Sequence, residues 1–214
     1  MRAVDTQQDA VTAPATKPRA WGRWLAQAAF ESVMILVSIL AAFAIDNWRE
    51  DNERARRLAE ARSSLTQELR FNLELLAHKD YLPHHLRLQS IYRTMQDAGT
   101  TDRADAMFEG GIHPAPLRDA AWRSFLESGI AGDLPFAVHA RLAGIYGAQE
   151  RLDFMHRATV ASLLAPRADR ETPAFTRDMI RTVSMYLADV VASEKGLQKE
   201  YQAAVKELEA SSPH

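Results

Sequence analysis

Residues 24–51, WLAQAAFESVMILVSILAAFAIDNWRED, decide how this chain is read. From 25 to 45 there are 21 residues whose only polar side chains are Gln27, Glu31, Ser32 and Ser38. Wound as a helix they reach roughly 31 Å, about the thickness of a bilayer's hydrocarbon core. Trp21 and Trp24 flank one end, and Trp48 with Arg49 the other, as interface anchors do. A cleaved signal peptide fits less well, because the apolar run exceeds an h-region and passes directly into a charged, helix-favouring segment. A buried core helix fits less well too, since nothing later in the sequence is apolar enough to sheathe it. The stretch therefore predicts a transmembrane helix over 21–48, preceded by a disordered tail over 1–20 that holds Pro14 and Pro18.

Glu31 lies a turn and a half inside that helix, where a carboxylate costs a few kcal/mol unless it is relieved. Three readings stand side by side: snorkelling to the near interface, a contact with a neighbouring helix, and a place on an ion or proton pathway. Ser38 and the small residues 41–44 would permit close helix approach, although they form no GxxxG. Basic residues flank both ends almost equally, and those of the tail tilt the orientation to N-inside, with the rest of the chain on the periplasmic side of a bacterial inner membrane.

Working outward, no Gly or Pro occurs between Trp48 and Pro83, so the helix is expected to run on into solvent and to be broken at Pro83. Leu58, Leu65, Leu69, Asn72 and Leu76 recur at coiled-coil-like spacing, with Arg62 an imperfection in the seam. Asn72 is either a register-setting polar contact or an Asn at the edge of the stripe. A second helix follows over 84–98, a short one around Trp122 and Phe125, and a longer one from Asp133 to Pro166 with Asp133 as its cap. The last shows Met179, Val183, Tyr186, Val190, Leu197, Tyr201, Val205 and Leu208 on one face of about 37 residues. Segment 99–116 is the longest irregular stretch. The chain is thus expected to be all-α, one N-terminal transmembrane helix continuous with a soluble antiparallel helical bundle over 49–210 in which the first and last helices oppose each other.

Composition narrows function mainly by exclusion. A net charge of −2 gives no basic field for nucleic acid, and the absence of cysteine removes disulfides, thiolate metal sites and a Cys nucleophile. No P-loop, dinucleotide fingerprint, nucleophile elbow or His-Glu-x-x-His is present. Glu74 with His78 and Asp153 with His156 each share a helix face, but their spacings disagree, so the seven histidines are read as surface residues and neither a metal nor a cofactor is expected. His84 and His85, being adjacent, are expected to point to different faces. Trp122 is read as a core residue or a bundle and oligomer contact.

Glu31, VSILAAFAIDNWRED, LTQELRFNLELL with Glu68 and Asn72, AAWRSFLESGIAGDLP and IYGAQERLD together resemble a family of uncharacterised bacterial single-pass membrane proteins, in which an N-terminal transmembrane helix closes on Trp-Arg-Glu. The likeness runs from Glu31 to about Asp153. It implies a membrane-anchored helical protein and carries over no catalytic residue. The resulting expectation is a non-enzymatic interaction or scaffold protein whose partners are the bilayer and further copies of itself or another membrane protein. A membrane-bound ligand sensor, or a transport accessory subunit using Glu31, is the alternative.

Overall fold

The computed structural model describes residues 20–99, 111–165 and 173–210, leaving aside the side chains of 20–22 and 173. The expected tail and most of the irregular stretch around 99–116 lie outside the described residues. All regular structure among the described residues is helical: α1 Ala20–Ala77, α2 Leu82–Ala98, α3 Ala120–Glu127, α4 Phe136–Leu164 and α5 Pro173–Ala210, with a 3-10 turn at Ala131–Asp133. The chain divides into two compact units, Met1–Glu53 and Arg54–His214.

The first unit contains the start of α1. Its segment 25–45 is long and apolar enough to cross a membrane, and none of it is buried by the chain. Its large apolar side chains are exposed by 47% at the least, for Ile39, and by 66% for Phe30.

The second unit is built on the stripes expected from the sequence. Leu65, Leu69 and Leu76 of α1 join Leu88, Tyr92 and Met95 of α2, Leu142 and Ile145 of α4, and Leu187, Val190, Leu197 and Tyr201 of α5 in one buried cluster. Trp122 and Phe125 of α3 complete it.

Pro83 does not break a helix; it sits in the first turn of α2, where its missing N–H is no loss. The break falls one turn earlier, over 78–81, because a helical course through that point would drive the proline ring into the carbonyl four residues back. Short turn bonds bridge the gap, His78 N–H to Leu75 O at 3.0 Å and Tyr81 N–H to His78 O at 3.1 Å. The far end of α2 is closed by Gly99, whose φ of 59° is the left-handed conformation that glycine adopts without strain.

Three side-chain pairs set how α1 and α2 meet α5. Arg70 bonds Glu209, His85 bonds Glu194, and Ser184 bonds Gln96. From 70 to 96 the count rises by 26 while α5 falls by 25, so α1 at Arg70 and α2 as far as Gln96 meet α5 in a single antiparallel register. α2 therefore continues the course of α1 rather than folding back on it. α4 is likewise antiparallel to α5, through Arg141 with Glu207 at 3.0 Å and His156 with Tyr186. α4 begins after Pro135, and Asp133, expected to cap it, sits in the preceding 3-10 turn and pairs with Arg54 at 3.9 Å.

Candidate functional site

Within α1 the polar groups of the apolar segment are met by their own helix. Gln27 Nε2 donates to Glu31 Oε1 at 3.2 Å, and Ser38 Oγ donates to the Met34 carbonyl at 2.8 Å. Each is a contact between neighbours one turn apart. Glu31 and Ser38 are exposed, as are Trp24, Trp48 and Arg49. The side chain of Trp21 lies outside the described residues.

A second polar constellation joins α1 to α3 and α4. Asn72 is fully buried and grips the backbone of Arg118 from both sides: its Nδ2 donates to Arg118 O at 2.8 Å, and Arg118 N–H donates to its Oδ1 at 2.8 Å. Gln149 Nε2 reaches the same carbonyl at 3.1 Å. One turn before Asn72, the Glu68 carboxylate accepts from Ala121 N–H at 2.8 Å, Trp122 N–H at 3.3 Å and Tyr146 O–H at 2.8 Å. Ala121 and Trp122 are the second and third residues of α3, so Glu68 performs from another helix the task of an N-cap side chain. The residue in the cap position, Asp119, instead binds Arg123 Nε at 2.9 Å. Trp122 lies flat on Tyr146, with ring centres 5.0 Å apart and an interplanar angle of 4°. Burial, and then the bond to Glu68, push the Tyr146 hydroxyl far above its usual range, so it remains a donor.

A third constellation runs through the core between α2, α4 and α5, and here the expectation of surface histidines fails. His85 is 0% and His156 3% exposed, and His84 is buried as well, whereas His78, paired with Asp80, and His113 are exposed as expected. His85 Nδ1 donates to both oxygens of the fully buried Glu194 at 2.9 Å. The His156 ring stands 6.2 Å from the His85 ring, centre to centre, and its Nδ1 bonds Tyr186 Oη. Nε2 of each ring is buried without a hydrogen-bond partner. Burial, with His85 adding to it, lowers the His156 pKa to about 4, so its ring is neutral at neutral pH. Asp153, paired with His156 on sequence spacing, binds Arg157 instead. His84 turns the other way from His85, as expected for neighbours on a helix: its Nε2 meets Gly111 O at 2.8 Å and its ring stacks on His113.

The missed residues carried a signal. Glu68, His85, His156 and Glu194 all fall on the apolar stripes of their helices, three or four residues from a buried Leu or Val. A cleft of about 690 Å³ opens beside α3 and α4, its lining including Trp122, Tyr146, Gln149 and His156. Among the described residues no three His, Asp or Glu side chains form a metal-ligand set. No family model, curated protein or solved structure matches the chain.

Proposed function

We propose that this chain is a single-pass protein of a bacterial inner membrane, whose antiparallel helical bundle acts through protein–protein contact as a homo-oligomeric scaffold. The observation that carries the anchor is segment 25–45, apolar on every side and uncovered by the rest of the chain. Such a surface is stable only against an apolar medium or another apolar surface. Trp24 and Trp48 mark its ends, 24 residues apart, and roughly 36 Å of helix between them suits a pair of interface anchors. The scaffold reading draws on Glu68 and Asn72, whose hydrogen bonds go to holding helices together. Glu31, satisfied along its own helix by Gln27, keeps acceptor positions for a neighbouring helix.

Membranes carrying the full chain, washed with alkaline carbonate, should retain it; release into the wash as soluble protein would end the anchor reading. Phosphatase and fluorescent-protein fusions at the C-terminus should report the periplasmic side. Crosslinking in the membrane should give a ladder of self-adducts that weakens for Glu31→Leu, and monomer alone across expression levels would sink the oligomer. The cleft beside Trp122 and Tyr146 favours a second reading, a ligand sensor. It predicts a small molecule that raises the melting temperature of the wild type and not of Trp122→Leu.

A further inference from the structure

We propose that Nε2 of His85 and Nε2 of His156 together hold one soft monovalent cation, of the copper(I) type, in the core between α2, α4 and α5. The inference does not depend on the membrane reading. Each ring is already oriented as a metal-bound imidazole is oriented, with its other nitrogen fixed by an oxygen: His85 Nδ1 on the Glu194 carboxylate and His156 Nδ1 on Tyr186 Oη. Those two anchors stand eight residues apart on α5, two turns along one face, and the rings lie between α5 and the helices that carry them. What remains on each ring is an unpartnered, buried Nε2.

Ring separation agrees with a shared ion. A metal–nitrogen distance of about 2 Å on each side, plus about 1.1 Å from nitrogen to ring centre, puts two imidazoles facing each other across one ion about 6.2 Å apart. The observed centre-to-centre distance is 6.2 Å. A tetrahedral ligand angle would bring the rings about an ångström closer.

Ligand count and charge select the ion. Zinc-like ions take three or four protein ligands, and no such set exists among the described residues. A monovalent ion with a filled d shell is content with two nitrogens in line, and imidazole is a known donor to copper. The Glu194 carboxylate brings one negative charge to a site with no exposure, and among the described residues its oxygens meet only the His85 N–H. One positive charge on the far side of that ring balances it, whereas a divalent ion would leave an excess charge in the core. Both rings then carry their protons on Nδ1, and no proton is released on binding. The low basicity of His156 keeps its ring unprotonated at neutral pH, and the cleft that His156 lines gives the ion a route inward.

The test uses the full chain in detergent, loaded anaerobically with copper(I) under reductant and passed over a chelating resin. About one equivalent should stay bound, and its X-ray absorption should show two nitrogen neighbours at the distance of a two-coordinate ion. His156→Phe should lose retention while keeping its far-ultraviolet dichroism, and Glu194→Gln should weaken binding by about 10- to 100-fold, as loss of an outer-shell partner does. No retention by folded wild type would overturn the proposal, as would wild-type retention by folded His156→Phe. Should that variant not fold, the wild-type spectrum decides alone: sulfur neighbours, drawn from methionine, refute the assignment.

Discussion

Truncating Glu68 tests whether one carboxylate on α1 holds α3 in place. Its oxygens accept from Ala121 N–H, Trp122 N–H and Tyr146 O–H at 2.8, 3.3 and 2.8 Å. In Glu68→Ala all three donors lose their acceptor, and each buried donor left unsatisfied costs about 1–3 kcal/mol. The 3.3 Å contact counts least, and relief of the carboxylate's own burial offsets part of the loss. The net expectation is about 3 kcal/mol, a large share of a stability that for most domains is about 5–15 kcal/mol. Glu68→Gln should cost about 1–2 kcal/mol: either orientation of its amide sets an NH2 group against a backbone N–H of α3. Chemical denaturation of the full chain in detergent, followed by far-ultraviolet dichroism, gives these values. Tyr146→Phe closes a double-mutant cycle, with a coupling of about 1–2 kcal/mol expected because that hydroxyl bonds a charged group. The reasoning is refuted if Glu68→Ala lies within about 0.5 kcal/mol of wild type, or if the cycle shows no coupling.

Asn72→Leu removes both bonds to the Arg118 backbone and strands its part-buried N–H, so a loss of about 1–2 kcal/mol is expected in the same assay. In chelator-treated protein, His156 should make stability depend on pH. Its pKa is depressed from 6.5 to about 4, so the unfolded chain takes up the proton first; the contribution is complete above pH 6.5 and is lost as pH falls towards 4. At 1.36 kcal/mol per unit this amounts to about 3 kcal/mol, and a denaturation series from pH 7.5 to 4 should lose that slope in His156→Phe. Gly144 and Gly196 lie inside α4 and α5, and a Cβ at either meets nothing within 4 Å. Gly144→Ala and Gly196→Ala should each stabilise by about 0.5–1 kcal/mol in the monomer, read from the melting curve.

Apolar spacing made the helical class and most of the core legible, because a stripe such as Val183, Tyr186, Val190, Leu197 and Tyr201 has only one face to bury. Asn72 and Trp122 could be picked out from that spacing and from residue type. The partners of Asn72 could not, since the Arg118 backbone comes to it through a fold-level contact 46 residues away. The pair of His85 and Glu194 is separated by 109 residues, and periodicity on either helix says only that each faces inward. Read singly, a histidine on a helix looks like a surface group; read against Leu82, Leu88 and Tyr92, His85 is on the buried face. Pro83 marked the helix break correctly in kind but not in place, because a proline acts on the turn before it.

The 78–81 junction is an exposed turn of the sort that ordinarily tolerates insertions, yet its length is constrained by a helix that it does not touch in sequence. α5 runs unbroken past the limbs on both sides of it, and so serves as a ruler against which their rotational phase is measured. One added residue would turn α2 by about 100° relative to α1, carrying Leu82, His85 and Leu88 off α5 while Arg70 still met Glu209. Seven added residues would restore the angle to within about 20° but displace α2 by two turns along its partner. Length at this junction is therefore as strictly specified as the identity of a core side chain.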